Sequence, residues 1–207
     1  MTPSTKRRGR SATTEPLDLP ELWRRQRAEA AKARHPGHCR GHGWLADAGL
    51  DAVLAPLLYG PMYGDESFFR FSALGADAAT ALLAALPEDY LASERQNDGP
   101  TIGTVLRAVV AHPERLLAHG YVIGPGRCDE RVTVEGVLLR TEREYRLCEL
   151  YGPASTDCEC DELYRVLADD FGVDDALVHP HELDRFHYYE WTSDGYHGEP
   201  WYRAWWD

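Results

Sequence analysis

Apolar residues recur along this 207-residue chain in short runs whose period changes from helical to alternating and back. Between residues 19 and 34, Leu19, Leu22, Trp23, Gln26, Ala30 and Ala33 fall in one stripe at 100° per residue, which predicts a helix. Asp18 precedes it as an N-cap, and Pro20 and Glu21 fill its first turn. Arg24, Arg25, Arg27, Lys32 and Arg34 surround the stripe, so the helix is basic and only weakly apolar. The Pro- and Gly-rich 35–43 segment reads as a loop. Helical patterns follow at 44–58, at 75–91 with Pro87 near the end, and at 101–111.

Alternation marks residues 66–74, 119–124, 131–140 and 144–151, each rich in β-branched or aromatic side chains. Short links between the last three imply antiparallel pairing. A helix is predicted over 161–171, ended by Gly172, with a second helical piece over 174–183 interrupted by Pro180. The pattern therefore predicts an α+β fold: an antiparallel sheet of three or four strands packed by helices, in one domain spanning 19–207. Residues 1–18, rich in Ser, Thr, Arg and Pro, are expected to form a disordered basic tail. Residues 186–207 form an aromatic C-terminal segment, in which a short helix would put Trp201 and Trp205 on one face.

Charge sharpens this picture. Residues 1–42 hold ten Lys/Arg against four Asp/Glu, whereas residues 157–207 hold fourteen acids against three arginines, within an overall net charge of −12. So acidic a body disfavours nucleic acid and favours a protein partner with cationic surface. No apolar run approaches the roughly 20 residues of a membrane span, and no apolar region follows the basic start as a secretory signal requires. A cytoplasmic protein with reduced thiols is expected. Arginine in place of lysine, with abundant alanine, suggests a bacterial source of high GC content.

Three clusters carry candidate chemistry. His38, Cys39 and His42 in the glycine-rich loop, with Cys158 and Cys160, supply the nitrogen and sulfur donors of a zinc site, although the spacing departs from paired CxxC knuckles. Arg95, Gln96, Asn97, Asp98 and Thr101 form a polar turn before a helix; its free amides could bind an anion, and capping alone would also explain the residues. Trp201, Trp205, Trp206 and Arg203 are of the types that anchor partners, and equally of the types that cover a sheet. Cys128 lies in a charged loop with no assignable base. No Walker loop, GxSxG or HExxH occurs. The expected function is that of an acidic interaction or regulatory protein without catalytic activity. The alternative is a small enzyme or zinc-stabilised module built on the His/Cys clusters and the 94–101 turn.

Overall fold

The computed structural model describes residues 18–32, 41–148, 157–186 and 201–207. The predicted tail, except Asp18, lies outside these residues, as do His38, Cys39 and most of the aromatic segment. The fold is α+β with an antiparallel sheet, but among the described residues the sheet has six strands and not three or four. Helix α1 (Leu19–Ala30) starts as expected, with the Asp18 carboxylate accepting from the Glu21 N–H at 3.1 Å. Its stripe buries Leu19, Trp23, Gln26 and Ala30.

The helix predicted over 44–58 is broken. It divides into α2 (Trp44–Asp47), α3 (Leu50–Leu54) and a 3-10 turn (Ala55–Leu57), because Gly49 adopts φ +73° between the first two. The chain then enters β1 (Leu58–Tyr59) and β2 (Phe68–Leu74). Likewise the helix predicted over 75–91 is two, α4 (Ala76–Ala85) and α5 (Glu88–Ser93), separated by the extended Leu86 and Pro87. Proline lacks the N–H a continuing helix needs and disfavours helical backbone in the residue before it. Helix α6 (Ile102–Ala111) is capped by the Thr101 side chain.

Strands β3 (Leu116–Ile123) and β4 (Arg131–Arg140) form the centre of the sheet. After α7 (Cys160–Asp169) come β5 (Glu182–Phe186) and β6 (Trp201–Trp205), and the strand order is β1-β2-β3-β4-β6-β5. Residues 144–148 join no strand. The 174–183 piece is not helical, since other elements take its backbone groups: the Leu177 N–H donates to Asp98 O and the Val178 carbonyl accepts from Trp206 Nε1. The terminal residues form a strand and not a short helix, because β4 and β5 flank them on both sides.

One face of the sheet carries the core. Phe69, Phe71, Ala118, Val122, Val134, Val137, Leu139, Tyr202 and Ala204 pack there against Leu50, Leu82, Leu106 and Val109 of the helices. Their alternate neighbours point to the opposite face, where Leu138 and Trp201 form a small separate apolar cluster with Ala73 and Leu117. Among the described residues no helix is long and apolar enough to cross a membrane.

Candidate functional site

The second sheet face owes its chemistry to a break in alternation. His119 pairs with Gly136 and Gly120 with Val134, so Glu135 is an extra residue in β4. This is a β-bulge. Val134 and Val137 both face the core, which leaves Glu135 and Gly136 both facing away from it. A matching irregularity in β2 places one extra residue between Phe71 and Leu74, where Ala73 takes φ +55°. The β4 bulge turns the Glu135 carboxylate toward the Arg70 guanidinium and the His119 imidazole.

Glu135 is buried, its side chain only 4 % exposed, and it accepts a hydrogen bond from Arg70 Nη1. His119 Nδ1 lies 3.6 Å from the same carboxylate. Burial pushes the imidazole below its ordinary value and outweighs the opposing pull of Glu135, so His119 is neutral at neutral pH. Its ring rests on Gly136: a Cβ added there would fall 2.2 Å from Nε2.

Above this network lies a cavity of about 390 Å³ lined by Tyr59, Tyr63, Arg70, His119, Arg203 and Trp205, with Met62, Ser72 and Leu138 between them. The volume is at the small end of the roughly 300–1,000 Å³ typical of ligand sites. Arg203 faces Arg70 from β6 and is already paired, donating from Nη2 to Glu182 at 2.7 Å and to Asp184 at 2.5 Å. The guanidinium also lies 5.5 Å from the Trp205 ring centre. Two arginines are thus matched by three carboxylates, Glu135, Glu182 and Asp184. Arg70 Nε and Trp205 Nε1 are buried donors with no hydrogen-bond partner among the described residues.

The polar turn sits elsewhere, beside α6. Arg95 Nη1 donates to Gly99 O (2.8 Å) and Asp175 O (3.0 Å), and Gln96 accepts from the Tyr121 hydroxyl (2.8 Å). Asn97 adopts φ +47° and Asp98 supplies its carbonyl to Leu177. The Asp175 carboxylate occupies the start of α6, accepting from the Thr101 N–H and from the hydroxyls of Thr101 and Thr104. The position where an anion would bind thus holds one of the chain's own carboxylates.

The aromatic candidates are distributed over both faces. Trp206 is 1 % exposed and packs in the main core, and Trp201 is 2 % exposed in the small cluster. Trp205 and Arg203 line the cavity.

Of the histidine and cysteine candidates, the described residues include His42, Cys158 and Cys160. His42 is anchored beside Pro125, and its neighbours Gly43 and Leu45 donate to the Glu130 carboxylate just before β4. Cys158 and Cys160 lie beyond the other end of that strand, with Cys148 as the third member of their cluster. The three sulfur atoms all lie within 4.8 Å of one another, and this group could hold a metal ion. All three are free thiols. Cys128, against the expectation of reduced thiols throughout, is disulfide-bonded.

Sequence reading passed over Arg70, His119 and Glu135. Their signal is a charged residue within an otherwise apolar strand, FFRFSAL and VTVEGVLL, at odds with both neighbours. Comparison with family models, curated proteins and solved structures found no match for the chain.

Proposed function

We propose that this chain is a non-catalytic binding protein of the interaction or regulatory kind, and that its open sheet face takes a small, uncharged, planar ligand bearing carbonyl or ring-nitrogen acceptors. The observation that carries this reading is the cavity whose arginines are already neutralised. With three carboxylates against two guanidiniums around it, a polyanion gains little there. The guanidiniums still offer N–H groups beyond those their carboxylates use, and these suit neutral acceptors. Tyr59, Tyr63, Trp205 and Met62 add flat and apolar walls. Binding is favoured over turnover because His119 Nε2 is buried against Gly136 and does not open to the cavity.

The test is a thermal-shift screen of the full chain with small rings sorted by charge. Neutral acceptor-bearing rings are expected to raise Tm, whereas phosphates and dicarboxylates leave it unchanged. Ser72→Phe, which fills the cavity from its wall, should abolish the shift while the protein still unfolds cooperatively. Hits confined to polyanions, or hits that survive Ser72→Phe, would overturn the reading. Chemical conversion of a bound ring would replace it with the enzyme alternative.

A further inference from the structure

The sequence brings Cys148 to Cys158 and Cys160 through one residue, Glu159. Its backbone N–H donates to Arg146 O at 2.7 Å, and its side chain accepts from the Arg146 N–H at 2.8 Å. Arg143 adds a guanidinium contact to the same carboxylate at 3.1 Å and a second to Glu162. Residue 146 is therefore locked to residue 159. The thiols lie two residues beyond the first and one residue to either side of the second, so the lock brings all three to one point. The Cys148 N–H donates to Cys160 Sγ at 3.4 Å, the kind of backbone bond that supports sulfur bearing negative charge.

We propose that Cys148, Cys158 and Cys160 hold one zinc ion as three thiolates, with the fourth tetrahedral position filled by an oxygen or nitrogen ligand. This does not rest on the ligand reading of the sheet face. Zn–S bonds of about 2.3 Å in a tetrahedron separate the sulfurs by about 3.8 Å. The observed cluster, within 4.8 Å, needs a contraction of about 1 Å or less to reach that geometry.

Asp161 follows Cys160 directly in sequence and adds negative charge that attracts a dication. Glu159 is itself paired with Arg143 and serves the cluster as a clamp. Zinc suits a thiolate-rich set, and a site clamped before a helix is of the structural kind, whose binding energy adds to folding.

The experiment uses the full chain, reduced and then titrated with Co2+ and with Zn2+. One ion per chain is expected, with Co2+ giving thiolate charge-transfer absorption that Zn2+ abolishes by displacement. Cys148→Ser, Cys158→Ser and Cys160→Ser should each weaken binding roughly 100-fold or more, beyond the loss expected for a supporting residue. Cys128→Ser should keep the ion, and Glu159→Gln should weaken binding by about 10–100-fold, the loss of a supporting residue. The wild-type titration needs no variant to fold, so the proposal stays open to refutation if the serine variants aggregate. Folded, reduced wild-type protein that takes up no ion would overturn it. So would binding that survives all three serine variants, or that Cys128→Ser abolishes.

Discussion

The Asp175 carboxylate accepts from both the backbone N–H and the hydroxyl of Thr101, at 3.1 and 2.6 Å, across 74 residues of chain. The N-terminus of a helix is where negative charge is most favourable. Here the fold supplies that charge itself and uses it to tie the segment after α7 to the start of α6.

This tie sets the first prediction. Asp175→Ala leaves the Thr101 N–H and two hydroxyls without their acceptor and should cost about 1–3 kcal/mol. Arg95→Ala should also destabilise, since its guanidinium holds the Asp175 and Gly99 carbonyls. Urea unfolding followed by circular dichroism measures both. A change within experimental error for Asp175→Ala would mean the tie contributes nothing.

Gly136→Ala should cost about 1–3 kcal/mol, the usual range for overpacking. The new Cβ meets His119 Nε2 at 2.2 Å and the Ala204 carbonyl oxygen at 2.5 Å, and the second is backbone that cannot turn aside. Gly49→Ala is the reference. It has open space around it and suffers only its left-handed φ, costing about 1–2 kcal/mol. The two separate by the cavity: the Gly136 change should also weaken any ring that binds there, and the Gly49 change should not.

Acid should destabilise the protein through His119. Burial holds its imidazole below the ordinary 6.5, so between that depressed value and 6.5 the unfolded chain binds the extra proton. Stability therefore falls as the pH drops through this window, by at most about 1.4 kcal/mol per pH unit for one group. His119→Gln should flatten that part of the profile without changing its alkaline side. Denaturant midpoints measured across the acid range decide it; an unchanged slope in the variant would assign the effect to another group.

Tyr90→Phe should cost about 1–3 kcal/mol. Its hydroxyl donates to Val132 O at 2.7 Å and accepts from the Val132 N–H at 3.2 Å, beyond the stretch of β4 that β6 covers. The variant should speed hydrogen exchange at the Val132 amide more than at Val137, whose strand neighbours remain on both sides.

Much of the helical layer was legible because it follows local rules. The Asp18 and Thr101 caps act at their own helix ends. Where the reading failed, distant partners decided the outcome. Nothing local distinguishes WYRAW as a strand: apolar side chains lie on both its faces, Trp201 and Trp205 beside Arg203 on one and Tyr202 and Ala204 on the other, and β4 and β5 settle its form. The helix expected over 174–183 was lost in the same way, to Asp98 and Trp206. In the thiol cluster, Cys158 and Cys160 stood out as a pair, but Cys148 was hidden in an alternating run and joins them through the Glu159 clamp and its own N–H bond to Cys160. The sheet-face network was the least legible part, since it needs an extra residue in β4 that only the pairing register reveals.

The insertion of β6 between β4 and β5 imposes an order of events on a chain emerging from the ribosome. Strands β1 to β4 can pair as they appear, each beside its predecessor. β5 has no such neighbour when it emerges, because its hydrogen-bonding partner has not yet been made. Until β6 is released, residues 136–140 of β4 present unpaired N–H and C=O groups to whatever strand is nearby. The growing polypeptide thus passes through a stage in which half-finished copies on one message can pair edge to edge, and a chaperone that shields that edge would raise the yield of folded protein.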